Sequence, residues 1–340
     1  MKRRPSHSLV PGAPSAVRAL VPALALAFVL ALALAGCASA PTTVAPAERP
    51  GPLPPALRGF TEPAAESVPG AQLDRAPWTL EAGALESASG CTLYYEYYEP
   101  AEGSVGEASG SDLARGGAEP GLVVLAHGFL RDLESTRGWA KVWAGRGIRT
   151  VVVSFCNSSL FDGRHDRNAE DLVATARLFA PGDVPVLYAG FSAGGLSALL
   201  AAGSDSRTTA YLGLDPVDSD ELAATVDRLR IPALYLYGAP SSCNAENNMI
   251  ESMPDGRRIA LRVPYSTHCD FEYPTDDACA RLCGSVEAPV EGEIRATIRS
   301  LATAWVELQL GATAAAHESF HATTLEALEE ARRVEIVVNE

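Results

Sequence analysis

Gly190-Phe191-Ser192-Ala193-Gly194 decides how this chain is read. An apolar run, Val184-Pro-Val-Leu-Tyr-Ala189, leads into it, and an Ala/Leu-rich run from Gly195 to Ala202 leads out. A short apolar run bounded by a turn reads as a buried strand, and the Ala/Leu segment reads as a helix. The pentapeptide then occupies a sharp strand-to-helix turn, a nucleophile elbow, whose central residue takes strained backbone angles. Glycine is needed on both sides because a Cβ at either position would clash. Ser192 is the side chain such a turn holds clear at the C-terminal edge of a sheet.

The neighbouring segments fall into the same arrangement. Upstream, Leu122-Val-Val-Leu-Ala126 reads as a buried strand and runs into His127-Gly128-Phe129. Downstream, Tyr211-Leu-Gly-Leu214 ends in Asp215-Pro216-Val217-Asp218, and Ile259-Ala-Leu-Arg-Val263 leads to Ser266-Thr267-His268. Apolar runs at 150–155 and 233–237 complete a series of strands alternating with helical segments. That alternation predicts an α/β protein, its sheet mainly parallel with helices on both faces. An aromatic stretch at 92–99 fits a strand or hairpin at the start of the sheet, and 291–310 a long amphipathic helix covering it.

The order Ser, Asp, His, each at the end of a strand, resembles the α/β-hydrolase fold over about residues 90–310. Gly-Leu-Asp-Pro at 213–216 resembles the acid-bearing turn of pancreatic-type lipases and chlorophyllases, and the short interval after it resembles polyester-hydrolase-like enzymes, which lack a large cap domain. The resemblance implies a serine esterase or lipase acting on carboxylic esters through an acyl-enzyme. Ser192 would attack, His268 would act as base and Asp215 would orient it. The backbone N–H groups of Phe129 and Ala193 would form the oxyanion hole. This chemistry calls for no metal and no cofactor. A serine hydroxyl is too basic to attack unaided, an imidazole titrates near neutrality, and a carboxylate on its other nitrogen fixes the tautomer.

Other residues compete for these roles. Asp218 is the second choice for the acid. The stretch after 233–237, where many relatives of this fold carry their acid, reads Ala239-Pro-Ser-Ser-Cys-Asn-Ala-Glu246 and offers only Glu246. His127, directly before Gly128, belongs to the oxyanion loop rather than to proton transfer. His165, in a polar run, reads as a solvated loop residue, and Asp270 as surface or local capping. Leu160, Phe161 and Met249 are candidates for a substrate pocket or for simple packing. His317-Glu318-Ser319-Phe320-His321 matches the zinc-protease pattern H-E-x-x-H, yet only nineteen residues follow His321 to supply a third ligand. A non-catalytic envelope lipoprotein that keeps the fold and uses its cleft for binding is the alternative from another class.

The chain has 340 residues, 47% of them apolar, enough for one large domain. Its formal charge is −15, and residues 1–36 carry four basic residues and no acid, which leaves the remainder near −19. That balance disfavours nucleic acid as a partner. The partners expected are a small-molecule or lipid-like ester and a membrane. Lys2-Arg3-Arg4 and the apolar stretch 19–36 read as an export signal. It ends in Leu34-Ala35-Gly36-Cys37, which resembles the bacterial lipobox. The resemblance implies cleavage before Cys37, acylation there, and a cell-envelope location. Ala38, where an inner-membrane protein would carry Asp, favours the outer membrane if two are present. Residues 37–77, rich in Pro and Ala, read as a tether, 78–312 as the catalytic domain and 313–340 as a C-terminal helix and tail. The six cysteines besides Cys37 suit an oxidising compartment with up to three disulfides, at least one among the loops carrying Cys243, Cys269, Cys279 and Cys283. Zinc at Cys279 and Cys283 lacks a clear second pair of ligands.

Overall fold

A computed structural model describes residues 50–60, 78–87, 90–101, 120–157, 163–226, 228–283, 291–311 and 314–339. The signal segment, Cys37, most of the tether, Leu160 and Phe161 lie outside the described residues.

Nine strands form one sheet: β1 (Trp78–Glu86), β2 (Thr92–Pro100), β3 (Leu122–Ala126), β4 (Arg149–Ser154), β5 (Val186–Phe191), β6 (Thr208–Leu214), β7 (Arg228–Tyr237), β8 (Asp255–Arg262) and β9 (Glu335–Asn339). Their spatial order is β1-β2-β4-β3-β5-β6-β7-β8-β9. The six strands from β4 to β8 in this order are parallel, β2 and β9 pair antiparallel with the ends of that block, and β1 pairs antiparallel with β2. The central strands are buried on both faces, which is why they read as continuous apolar runs instead of alternating ones.

Alternation reappears once the faces are separated. Val123 and Leu125 of β3 point into one core with Val152, Leu187, Leu212 and Leu234. Leu122, Val124 and Ala126 point into the other with Val151, Val153 and Tyr188. On the first face the chain places α1 (Pro55–Arg58), α2 (Arg137–Gly145), α7 (Glu291–Val306), α8 (Ala314–Ser319) and α9 (Ala322–Glu330). On the second lie α3 (His165–Phe179) and α4 (Ala193–Ser204). The short helices α5 (Met249–Ser252) and α6 (Asp277–Cys283) sit in the loops after β7 and β8.

Four expectations need correction. The interval between Asp215 and the strand at 233 is long enough for one helix, but among its described residues the helical geometry is limited to a 3-10 turn (Leu222–Thr225). Asp218 accepts the N–H groups of Ser219 and Ala223, Asp220 and Glu221 take positive φ, and β7 begins at Arg228, so the interval is used up in turns. The C-terminal tail carries a strand: β9 pairs antiparallel with β8 and covers the sheet's edge. The helix at 291–310 leaves α-geometry at Glu307, where a π turn begins. Finally, residues 50–60, expected in the tether, pack onto the domain. Leu57 and Phe60 are buried in the first core, Gly51 donates to Ala331 O at 2.8 Å, and Ser319 Oγ donates to Ala56 O.

Candidate active site

The elbow is built as the glycines predict. Ser192 stands between β5 and α4 with φ 54° and ψ −128°. A Cβ on Gly190 would lie 2.2 Å from Gly194 O, and one on Gly194 would lie 2.2 Å from His127 O. Both positions therefore exclude every residue but glycine. The Ser192 N–H donates to Leu214 O at 3.0 Å, and Val217 N–H donates to Ser192 O, so the elbow is stitched to the end of β6.

Asp215 follows directly from that end, with φ 45° and no exposure. Its backbone N–H donates to Leu236 O, which turns the carboxylate across the sheet's C-terminal edge. There His268 Nδ1 donates to Asp215 Oδ2 at 2.6 Å. The carboxylate accepts only, so the shared proton sits on Nδ1 and Nε2 is left as the basic nitrogen. Asp215 also accepts the Gly238 N–H at 2.8 Å and the Asn244 amide at 3.1 Å. A carboxylate removed from water needs these donors, because a buried charge without partners is costly.

Asn244 escaped the sequence reading. It lies in the same stretch, 239–246, that was searched for a carboxylate. The useful signal was an amide donor in place of a second acid: Asn244 also bonds Ala239 O, and its Oδ1 accepts the Ser241 N–H, so its orientation is fixed. The rival acids go elsewhere. Asp218 caps the turn described above, and Glu246 is exposed on a 3-10 segment with φ 57°.

His268 opens a 3-10 turn (His268–Phe271) whose capping residues are Thr267 and Asp270. Of the two expectations for Asp270, local capping holds and surface placement does not: it is buried and accepts from Thr267 and from Arg295 of α7. Disulfides hold this region: Cys269–Cys279 joins the histidine turn to α6, and Cys243–Cys283 joins α6 to the Asn244 segment. Cys243 and Cys269 are thus linked through α6, and Cys279 and Cys283 are both in disulfides. Cys91–Cys156 forms a third bridge between β2's start and the loop after β4. Phe191, beside Ser192, stacks at 4.6 Å from the His268 ring, which brings the elbow and the histidine turn to one place.

The loop after β3 crosses the same spot. A Cβ on Gly128 would lie 3.0 Å from Ser192 Cβ. Phe129 follows in a turn closed by Arg131 N–H to Gly128 O, and neither its amide nor that of Ala193 is used in the turn, loop and cap bonding of these segments. His127 is fully buried. Its Nε2 accepts the Phe155 N–H and its Nδ1 donates to Gly128 O, a strut between the ends of β3 and β4. Burial pushes its pKa down to about 4, and both ring nitrogens are taken up by backbone groups.

Other sequence candidates are dispersed. His165 is buried at the start of α3 with Nδ1 3.3 Å from Ser197 Oγ, not solvated as expected, because the polar run 162–168 begins a helix packed on α4. Met249 is buried in the second core, the packing role its sequence reading allowed. The H-E-x-x-H pattern is broken: His317 belongs to α8 and His321 caps α9, so the two do not share a helical face. Phe129 and Leu130, in the loop after β3, and Tyr265, in the loop after β8, are exposed apolar side chains. A cavity of about 240 Å³ lies at the opposite edge of the strands, beside Arg177, Asp205 and Arg207.

No protein-family profile matches the chain, and no curated protein does. Among solved structures, a ferulic acid esterase from Streptomyces cinnamoneus superposes with a TM-score of 0.55, over 80% of this chain and 98% of that one, at 18% sequence identity. The chain has the α/β-hydrolase fold. Strand order, the elbow after β5 and the absence of a large insertion between β6 and β7 place this chain in the capless form of that fold, its C-terminal strand edge carrying Ser192, Asp215 and His268.

Proposed function

We propose that this protein hydrolyses carboxylic esters through an acyl-enzyme. The observation that carries the reading is the buried Asp215–His268 pair presented at the same edge as a strained serine elbow. Ser192 Oγ attacks the ester carbonyl while His268 Nε2 takes its proton. The imidazolium formed is stabilised by Asp215, and the negative oxygen of the tetrahedral intermediate is met by the amides of Phe129 and Ala193. His268 then protonates the leaving alcohol. Water repeats the sequence, and the carboxylic acid leaves. The apolar rim of Phe129, Leu130 and Tyr265 and the capless edge suit an ester that reaches the site from an open face. The ferulic acid esterase likeness agrees with ester chemistry without naming the substrate.

The lipobox-like Leu34-Ala35-Gly36-Cys37 supports an envelope protein anchored through acylated Cys37. Intact mass of protein taken from its own membranes tests this: the chain should begin at a lipidated Cys37, and a chain beginning at Met1 would overturn it. Turnover of short p-nitrophenyl esters tests the chemistry. Ser192→Ala should abolish it at unchanged melting temperature, and activity surviving that change would place the reaction elsewhere.

A further inference from the structure

Arg131 follows the turn that carries the Phe129 amide, and Glu272 follows the histidine turn. Arg131 Nε donates to Glu272 Oε1 at 2.6 Å and Nη2 to Oε2 at 3.0 Å, a two-pronged pair. The Glu272 carboxylate has no exposure, and the guanidinium is 19% exposed. Nη2 also meets Asp276 at 2.8 Å, and Asp276 accepts the Cys279 N–H. One guanidinium therefore reaches both the residue after the His268 turn and the helix disulfide-bonded to it.

The turn it anchors needs anchoring. Gly128–Arg131 places Leu130 at φ 57°, which a side chain other than glycine adopts only at some cost. Leu130 is exposed, so burial offsets little of that cost. Beside it a cavity of about 170 Å³ is lined by Leu130, Arg131, Asp132, Pro274 and Asp276. Other bonds between the two regions run from residues 135–139: Tyr273 N–H to Ser135 O, Gly138 N–H to Tyr273 O, and Trp139 Nε1 to Phe271 O. These hold the histidine loop to α2, and the Arg131–Glu272 fork carries the tie on to the turn at 128–131.

We propose that Arg131 and Glu272 are positioning residues, a clamp that sets the Phe129 amide relative to His268. The inference rests on the proposed ester hydrolysis. An amide displaced by a fraction of an ångström meets the developing oxyanion poorly while the ester still binds, so the loss falls on kcat.

The test is steady-state hydrolysis of p-nitrophenyl butyrate by the full chain, with melting temperature measured alongside. Removing Arg131 alone strands a buried carboxylate, so the pair is replaced together, Arg131→Met with Glu272→Leu, an exchange that buried ion pairs commonly tolerate. Arg131→Lys, which keeps the charge and loses the fork, is the second variant. The expected result is a kcat lower by about 10- to 100-fold in the double variant and a smaller loss in Arg131→Lys, with KM within about twofold. Wild-type kcat in a folded double variant overturns the clamp. So does a loss shared between kcat and KM, or one that tracks melting temperature across both variants. If the double variant does not fold, Arg131→Lys decides alone: unchanged kcat overturns the proposal. An inactive wild type would fault the ester-hydrolase reading instead, and is seen before any variant is made.

Discussion

The Asp215 carboxylate is removed from water, and three donors meet it: Gly238, Asn244 and His268. Replacing its carboxylate by an amide keeps the size but forces the wrong tautomer on His268. Asp215→Asn should therefore lower kcat by about 10⁴-fold. Asp218→Asn, which removes only turn bonds, should cost melting temperature and little turnover. The reverse ranking in parallel kinetic assays would move the acid to Asp218. Asp215 was legible because it ends an apolar strand, whereas Asn244 was not, since an amide in a polar loop looks like any other turn residue. His127 is a different case, readable as part of the loop but not as a neutral strut. Its pKa of about 4 lies below that of a free imidazole, so the unfolded chain binds the extra proton first as pH falls. Stability should drop between about pH 6.5 and 4, by up to roughly 3 kcal/mol, and the loss should be complete below that window. In His127→Gln this slope should be missing. Urea midpoints at pH 7.0, 5.5 and 4.5 check it, and a constant gap between wild type and variant contradicts it.

Elements bear on the site through α6. It carries no side chain proposed for chemistry, yet it is bridged to the Asn244 segment and to the His268 turn. By loop-closure entropy each of these bridges restricts the unfolded chain by about 3–4 kcal/mol. They also pin the two segments that orient the imidazole. Cys269→Ser with Cys279→Ser should depress both melting temperature and kcat. Cys91→Ser with Cys156→Ser, a bridge that does not join α6 or the His268 turn, should depress melting temperature with a smaller loss of kcat. Equal kinetic losses in the two pairs would deny α6 its role, and six free thiols in unfolded, unreduced protein would deny the bridges themselves. The pairing could not be read in advance, because six cysteines admit fifteen pairings and only folding brings Cys279 beside Cys269. The same limit hid β9: Glu335-Ile-Val-Val-Asn339 is short and ends the chain, and what makes it a strand is the open edge of β8.

The whole molecule is a two-sided sheet, and its central strands were legible because burial on both faces leaves them uniformly apolar. Its margins were less so. The segment 50–60 has the Pro/Ala composition of a linker but holds Leu57 and Phe60, two apolar side chains buried in the first core, and its helix α1 packs on α8 and α7. Composition describes an average, and two residues were enough to defeat it. Ser192, Asp215 and His268 follow β5, β6 and β8 at the same sheet edge, and the fold likeness to a ferulic acid esterase holds at 18% sequence identity. The central claim is that this edge activates Ser192 and no other residue. A fluorophosphonate probe reads it directly, since phosphonylation requires both an activated nucleophile and an oxyanion site. Intact-mass spectrometry of the folded protein should show one adduct, mapped by peptide to Ser192, and none after heat denaturation. An adduct on any other residue, or no adduct on folded protein, would contradict the account.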